Sequence, residues 1–509
     1  MDYYESMILA IILGGLLVIL YYIKKENKFE KHGIPYIKPL PIFGNMFQIL
    51  FRITQHMEMI RKFYYINTKA KYIGFYDFSC PVLLIRDPEL VKNITVKYFD
   101  HFVDHRGFVD PVQDPLFGKN LFSLRGDNWR EIRNLLSPAF TSSKMKAMFK
   151  LMEKCSQDFA NYMYEQTQKK KTLTINSKEF FARYTNDVIA TCAFGITIDS
   201  MRNPDNEFYI LGREATNFEG ILSLKFLLLR NFPIISRLLR VKLVNENIEK
   251  FFKTIVRDTI AIRDEKGISR PDMIQLMMES RNNKNGHGPE LTIEDMTAQA
   301  FIFFFGGFDT SSSLMSFLAH EISMNTEVQA KLYNEINDVH IKFNGDPTYE
   351  AINSMQYLDA VINETMRRYS IAHVLDRVCT KTFELPPTLP GTKPFQLQPG
   401  DSVMIPVQAF QSDPKYFYDP DKFIPERFIE DTKGIVNSPA YLPFGNGPRM
   451  CIGNRFALLE TKILIYHLLM KCVLKPSKKM INPIKFSTAS FQILPKGGFW
   501  LDLQPRNKG

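Results

Sequence analysis

The stretch FGNGPRMCIG at residues 444–453 decides how the chain is interpreted. Two glycines and a proline precede Cys451 and Gly453 follows it, which predicts an irregular loop whose backbone can approach another group closely. An apolar helical pattern begins at Asn454, so Cys451 lies just ahead of a helix N-terminus and beside Arg449. A helix dipole and a neighbouring cation both favour a thiolate over a thiol.

The spacing of the cysteines limits the kinds of metal site in which the Cys451 thiolate could take part. The six residues are Cys80, Cys155, Cys192, Cys379, Cys451 and Cys472. They form no Cys-x-x-Cys pair, so neither a zinc site nor a disulfide framework is indicated, and a reducing compartment is expected. A single thiolate suits one axial position of an iron porphyrin, whereas zinc needs three or four clustered ligands. The alternative is that Cys451 is an inert, buried small hydrophobe.

The pattern Phe444-x-x-Gly447-x-Arg449-x-Cys451-x-Gly453 resembles the haem-binding signature of the cytochrome P-450 superfamily of haem-thiolate monooxygenases. Five fixed residues would match by chance with a probability of about 10⁻⁴ over about 500 starting positions. The resemblance implies that Cys451 is the axial ligand of the iron of haem b. It also implies that Phe444, Arg449 and Gly453 belong to the cofactor site.

Periodicity predicts a mostly α fold with a small β portion. The 509 residues are 45% apolar, which allows a large core, and 13% aromatic, which excludes an intrinsically disordered chain. Apolar residues recur at helical spacing over most of the chain, while strand-like pieces are short. No Gly-x-Gly-x-x-Gly follows a strand, so the chain is not expected to hold a dinucleotide of its own. The resemblance implies the cytochrome P-450 fold with one large catalytic domain.

Residues 7–23 predict a membrane anchor. They are 17 consecutive uncharged, mostly apolar residues, and as a helix they would rise about 25 Å. A cleaved signal peptide is the alternative, but Asp2 and Glu5 precede the span and Lys24 and Lys25 follow it. The positive flank predicts that everything after the span faces the cytosol, which places the catalytic domain on the cytosolic face of the endoplasmic reticulum membrane.

Three regions are therefore expected. They are a transmembrane signal anchor at 1–25, a hinge rich in Pro and Gly at 26–45, and a haem-binding catalytic domain at 46–509.

The net charge of +10 could attract nucleic acid, an anionic membrane or an acidic protein. The basic clusters at 169–171 and 475–479 are not interleaved with aromatic residues, which argues against nucleic acid. Basic residues near Trp129 and after Cys451 favour an acidic reductase surface as the partner. The residues expected to contact it are Arg130, Lys144, Lys146 and Arg455.

Glu364 and Arg367 stand three residues apart on a predicted helix, which alone would indicate an ordinary surface ion pair. With Arg427 in the sequence PERF at 425–428, they resemble the structural triad of the same superfamily. The resemblance implies that both arginines share the buried Glu364 carboxylate beneath the cysteine loop. The expected role is structural, because removing one member would leave the others as buried charges without a partner.

The sequence GGFDT at 306–310 resembles the oxygen-activation motif of the superfamily. Two adjacent glycines inside a helix cost roughly 2 kcal/mol relative to alanines, which favours a function over a merely flexible segment. Gly306 and Thr310 are four residues apart, so the glycine should leave a notch beside the hydroxyl, where O₂ could fit. Asp309 and Thr310 would then relay protons from water.

The resemblance also implies which residues surround the cofactor, and helical spacing predicts residues of the substrate pocket. Trp129, Arg133, Arg377 and Arg449 match residues that bind haem propionates, for which charge-assisted hydrogen bonds are the physical reason. The expected substrate pocket is aromatic and without a fixed charge, which favours bulky neutral compounds. Its residues are Phe108, Phe117, Phe301, Ile302, Phe305, Ile371 and Phe491.

The expected function is a membrane-bound monooxygenase that inserts one oxygen atom from O₂ into apolar, xenobiotic substrates. Electrons would come from NADPH through a separate diflavin reductase. A small haem protein is a further candidate electron donor. The stretch FVDHRGFVDP at 102–111 looks most like the insect detoxification members allied to the vertebrate drug-metabolising clan. The alternatives are a haem-thiolate isomerase or dehydratase that needs neither O₂ nor reductase, and a non-enzymatic haem-binding sensor.

Overall fold

The computed structural model of the chain describes residues 27–107, 109–217, 219–270, 272–281, 291–430 and 432–506. The predicted anchor at 1–25 and the predicted pocket residue Phe108 lie outside these ranges.

Most of the described chain is helical, which confirms the expected mostly α class. The α-helices are Lys28–Lys31, Phe47–Leu50, His56–Tyr65, Pro88–Lys92, Pro115–Gly118, Gly126–Leu136, Ser142–Lys170, Ser177–Ile189, Glu207–Thr216, Ile221–Asn231, Pro233–Leu238, Glu246–Lys266, Met273–Arg281, Ile293–Met324, Thr326–Lys342, Tyr349–Asn353, Gln356–Arg368, Val407–Gln411, Arg427–Glu430, Thr432–Val436 and Asn454–Lys471. The π-helices are Asn93–Lys97 and Ala190–Phe194, and the 3₁₀ helices are Phe99–His101 and Ser137–Phe140.

Over the described ranges the β portion is small, as expected, and forms three sheets. The strands are β1 Tyr72–Asp77, β2 Cys80–Ile85, β3 Leu173–Asn176, β4 Leu375–Val378, β5 Phe383–Leu385, β6 Phe395–Leu397, β7 Ser402–Ile405, β8 Cys472–Pro476 and β9 Trp500–Pro505. The largest sheet has the order β1-β2-β7-β4, in which only β2 and β7 are parallel. The others are β3-β9-β8 and β5-β6, both antiparallel.

Helix Ile293–Met324, called the central helix below, passes through the core. Thr292 and Asp295 form a capping box at its start, which satisfies backbone N–H groups that a helix otherwise leaves unpaired. Within the part of the chain that the structure describes, it is the one helix long and apolar enough to cross a membrane. Of its most apolar window, 67% is buried inside the protein, so the hydrophobic run belongs to the core.

Helix Asn454–Lys471, called the cysteine helix below, begins directly after the loop that carries Cys451. It packs against helix Ser142–Lys170 and the central helix, and its residues 459–469 are all buried. The loop is therefore anchored to the core at its C-terminal end.

The segment expected to be a hinge lies against the first sheet over its described residues. The Phe29 side chain is 1% exposed, and Tyr36 forms a β-bridge with Gly74 of β1. Asn45 accepts a hydrogen bond from the backbone of Tyr76 through its side chain. The boundaries of the three predicted regions stay a prediction.

Candidate functional site

The cysteine loop has a backbone shape that only glycine permits at one position. Gly447 has φ +73°, and a Cβ there would overlap the carbonyl oxygen of Thr95. The Cys451 backbone N–H donates to the Phe444 carbonyl at 2.9 Å, and the Met450 N–H donates to the Gly447 carbonyl at 2.9 Å. These contacts fold the loop back on itself and hold Cys451 at its end.

The Cys451 side chain borders open space inside the protein. It is exposed, but the surrounding protein is dense enough that burial raises the pKa of the thiol. Hydrogen bonding from the Gly453 backbone N–H and the charge of Arg133 lower the same pKa and offset part of the rise. The favourable cation is thus Arg133, four residues after Trp129 on helix Gly126–Leu136.

Arg449, which the sequence places beside Cys451, points elsewhere. Its guanidinium donates to the carbonyls of Val103 at 2.8 Å and Leu124 at 2.7 Å. The guanidinium also lies over the Trp129 ring, 4.1 Å from its centroid. Neighbours in sequence can project in opposite directions from a loop, so the expected action of Arg449 on the thiol is replaced by that of Arg133.

The middle of the central helix also faces open space. Thr310 is exposed although Asp309 and Ser311 on either side are buried. A Cβ built on Gly306 would have no heavy atom within 4 Å, whereas one on Gly307 would meet the Ile189 side chain. The glycine pair thus leaves a notch on one side and permits close helix packing on the other. The Thr310 hydroxyl donates to the Gly306 carbonyl.

One apolar cluster connects the notch with the cysteine loop. Ile302, Phe303 and Phe305 of the central helix pack against it, and so do Ile452 and Phe456. The Phe140 ring stacks on that of Phe303 at 5.3 Å, and a Cβ built on Gly453 would lie 3.9 Å from the Phe140 ring, so Phe140 links the cysteine loop to the central helix.

Among the described residues, the Asp309 carboxylate makes its hydrogen bonds with side chains other than that of Thr310. Lys178 donates to Oδ1 at 2.9 Å, and the side-chain amide of Gln492 donates to Oδ2 at 2.7 Å. The sequence did not point to either residue, because each is more than 100 positions from Asp309.

Three arginines from different parts of the chain form a buried cationic group. Burial lowers the pKa of Arg377 to about 10, and burial together with the charge of Arg377 lowers that of Arg449 to about 9. Burial also lowers the pKa of Arg133. The Arg377 Nε has no hydrogen-bond partner among the described residues. A buried cationic donor without a partner is costly, so this cluster fits an acidic group such as a haem propionate.

Asp376 and His105 extend the same cluster and were missed from the sequence. His105 Nδ1 lies 3.0 Å from Asp376 Oδ1, and the Arg106 backbone N–H donates to Oδ2 at 2.7 Å. Burial alone would raise the pKa of Asp376, but His105, Arg230 and the Arg106 N–H more than offset it and the pKa is lowered. Asp376 therefore balances part of the positive charge as a carboxylate.

The predicted structural triad is assembled and fully enclosed. Arg367 Nε lies 2.7 Å and Arg427 Nε 3.1 Å from Oε2 of Glu364, and all three side chains are 0% exposed. Gln411 supports the triad: its backbone carbonyl accepts from Arg367 at 2.8 Å, and its side chain accepts from the Leu442 N–H at 2.9 Å. This connects the triad to the segment that leads into the cysteine loop.

The predicted pocket residues are placed at different depths. Ile302, Phe305, Ile371 and Phe491 are all partly buried, and Ile371 packs beside Phe317 and Tyr369. Phe301 is 0% and Phe117 4% exposed, and their rings meet at 5.2 Å. Phe301 and Phe117 are therefore core residues and do not line the surface of a pocket.

Comparisons with known proteins agree with this geometry. The chain matches the family described as Cytochrome P450 over residues 34–501. Cytochrome P450 9e2 of Blattella germanica is 43% identical over 521 residues, which cover 97% of each chain. Cytochrome P450 9b2 of Drosophila melanogaster is 35% identical and covers 98% of each chain. Cytochrome P450 6j1 of Blattella germanica is 34% identical over 99% of this chain and 98% of its own length.

These insect relatives extend over nearly the whole chain, which confirms the resemblance to insect members of the superfamily. The match covers the cysteine loop, the notch in the central helix and the triad between them. The chain is therefore an oxidoreductase, a haem-thiolate monooxygenase that belongs to the cytochrome P450 family.

Proposed function

We propose that the protein is a membrane-bound enzyme that oxidises apolar xenobiotic compounds with electrons from NADPH, delivered by a separate diflavin reductase. The observation that supports this most is the pairing of two open interior surfaces, Cys451 on its loop and Gly306 with Thr310 in the central helix, around one apolar cluster.

Each predicted site residue has a role in this proposal. Cys451 would supply the thiolate that binds the haem iron. Trp129, Arg133, Arg377 and Arg449 would hold the haem propionates, and Phe444 and Gly453 would shape the loop. When bound, haem supplies oxygen activation, which a thiolate ligand favours by donating electron density to iron. Thr310 and Asp309 would relay protons from water to the notch.

The predicted pocket residues that stay partly exposed support bulky neutral substrates. Ile302, Phe305 and Phe491 are apolar and would form the wall of the pocket. His56 and His373 lie nearby as a buried pair 2.8 Å apart, and burial lowers the pKa of His56 to about 4, so the pair carries no charge at neutral pH. A pocket without a fixed charge selects by shape and apolar burial.

Positive charge supports the proposed reductase surface, and ion pairs within the chain favour two of its four residues. Arg130 pairs with Asp100 at 2.6 Å and Lys146 with Glu350 at 2.5 Å, so both cations are partly committed within the chain. Lys144 and Arg455 are the better candidates for an acidic partner, and Arg455 lies 3.5 Å from the Ser142 hydroxyl. Reversing both charges to Glu should slow reduction at 0.1 M salt and have less effect at 1 M, where screening removes the attraction.

The experiment that tests the proposed function uses the full chain with an NADPH-dependent diflavin reductase. We expect NADPH-dependent O₂ uptake and oxygenated products from neutral polycyclic compounds, with weaker turnover of small fatty acids. Conversion of a peroxide substrate without O₂ or reductase would instead support an isomerase or dehydratase. Absence of both reactions in haem-loaded protein would leave only the sensor.

A further inference from the structure

A cavity of about 860 Å³ lies apart from the residues expected to bind haem and substrate. Neither Cys451 nor Thr310 lines it, and none of the described residues expected in the substrate pocket does. A cavity of this volume can hold one small organic molecule. Its wall consists of four parts of the chain, which are the segment from Gly107 to Arg125, helix Gly126–Leu136, helices Ile221–Asn231 and Pro233–Leu238, and the start of the central helix.

Apolar side chains form part of this wall. Leu124, Ile132, Leu229 and Leu291 come from different parts of it. Ile132 is 7% and Leu229 4% exposed, so both belong to the packed core. An apolar group that contacts these side chains would be removed from water, which favours its binding.

Two arginines at the same cavity have unused hydrogen-bonding capacity. Arg125 is exposed and forms no ion pair or hydrogen bond within the described ranges. Its guanidinium lies against Gly107, where a Cβ would be 2.2 Å from Nη2, so the glycine lets it pack there. Arg230 is bound through Nε alone, 3.3 Å from Asp77 Oδ2, and Arg106 donates to the same oxygen at 2.7 Å. One carboxylate therefore serves two arginines.

Most other charged side chains of the wall have partners within the chain. The pairs are Arg237 with Asp110, Lys119 with Glu294, and Asp295 with Thr292. Glu131 is the exception, since it is exposed and has no partner among the described residues. Arg125 lies against residue 107 and Arg230 shares an oxygen with residue 106, so unused positive charge collects at one end of the cavity.

We propose that this cavity binds an organic anion with an apolar body. Arg125 and Arg230 would hold its acidic group, because guanidinium groups form charge-assisted hydrogen bonds with acidic oxygens. Its apolar part would pack against Leu124, Ile132 and Leu229. The anion would bind beside a substrate at the haem without replacing it. Such binding requires neither a particular substrate nor an electron donor.

Fluorescence titration of the haem-loaded full chain tests the acidic end of this site. The probe is anilinonaphthalenesulfonate, and phenylnaphthylamine is the same ring system without the sulfonate. Arg125→Gln should weaken binding of the sulfonate about threefold to fivefold, whereas Arg125→Lys should retain most of it. Binding of the neutral amine should change by less than about twofold. Arg257→Gln, a change of an exposed arginine outside the cavity on helix Glu246–Lys266, is the matched control and should have no effect.

Two further variants test the sign of the charge effect. Arg125→Gln combined with Arg230→Gln should weaken sulfonate binding at least about tenfold, and the loss should shrink at high salt. Glu131→Gln should instead tighten it about twofold, because a like charge is removed. Arg125 and Glu131 are exposed and unpaired in the described part of the chain, so neither single change should shift the denaturant midpoint.

Competition shows whether the sulfonate occupies this cavity or the haem pocket. Clotrimazole, a bulky azole that binds haem iron, should shift the haem absorption without displacing the sulfonate. Displacement would place the sulfonate in the haem pocket and overturn the proposal. Unchanged sulfonate affinity in the double arginine variant would overturn it as well.

Discussion

At the scale of single residues, exposure distinguishes Cys451 from the other cysteines. Cys192, Cys379 and Cys472 are buried, and Cys80 and Cys155 are partly buried, whereas Cys451 borders open space. We expect Cys451→Ala to abolish the long-wavelength absorption band that carbon monoxide gives with thiolate-ligated ferrous haem, because no other sulfur replaces the ligand. Cys80→Ala, a change in β2, should keep the band. Its persistence in Cys451→Ala would show that the ligand is another residue.

Thr310 is the other residue whose exposure differs from that of its neighbours. We expect Thr310→Ala to bind ligand normally but to release several times more hydrogen peroxide per NADPH consumed, because the hydroxyl that donates the proton is gone. Thr310→Ser, which keeps the hydroxyl, should restore most of the coupling. The measurement is the ratio of product to NADPH consumed, and an unchanged ratio in Thr310→Ala for several substrates would exclude the role.

At the scale of elements, helix Gln356–Arg368 connects to the cysteine loop through the buried triad. Ile424 donates its backbone N–H to Glu364 at 2.9 Å, and Arg427 donates to the Tyr418 carbonyl at 2.7 Å. One carboxylate therefore helps to hold in place the irregular chain that contains Tyr418 and Ile424.

Glu364→Gln should reduce the free energy of unfolding by about 3–5 kcal/mol, because two buried arginines lose their counter-charge. Glu350→Gln is the matched control: its carboxylate pairs with Lys146 at 2.5 Å, but the side chain is 60% exposed. That exposed pair should contribute less than about 1 kcal/mol. Both values come from denaturant unfolding, and equal losses would mean that the triad does not act as a buried brace.

At the scale of the whole molecule, exposed apolar residues gather on helices Ile221–Asn231 and Pro233–Leu238. Ile234 is 83%, Leu238 81% and Ile221 66% exposed. Arg52 donates to the Gly220 carbonyl at 3.2 Å, which brings the exposed residues beside it, Phe51 and Ile53, near this surface. Exposed apolar residues of this kind fit contact with a lipid surface, in agreement with the anchor predicted at 1–25.

We expect the exposed apolar residues around Leu238 to contact the acyl chains of a membrane. In vesicles that hold the full chain, a tryptophan introduced by Leu238→Trp should be quenched by lipids brominated on their acyl chains. Ile341→Trp replaces another exposed residue, 65% accessible, on helix Thr326–Lys342 and should not be quenched. Equal quenching at both positions, or none at either, would contradict a membrane-facing role for Leu238.

The sequence alone determined what depends on local chain geometry. The glycines and proline around Cys451 dictate a loop before a helix, and Gly306 four residues before Thr310 dictates a notch on one helix face. Both are consequences of backbone conformation and helical spacing, so they needed no knowledge of distant residues. The mostly α class followed for the same reason, since periodicity is a local property.

Only the tertiary structure decided which side chains meet across long sequence distances. It assigned the cation near Cys451 to Arg133 and not to Arg449, because neighbouring loop residues project differently. It gave Asp309 the partners Lys178 and Gln492, 131 and 183 positions away in the chain. Such pairings are set by the packing of whole helices and turns, and a local sequence pattern carries no information about them.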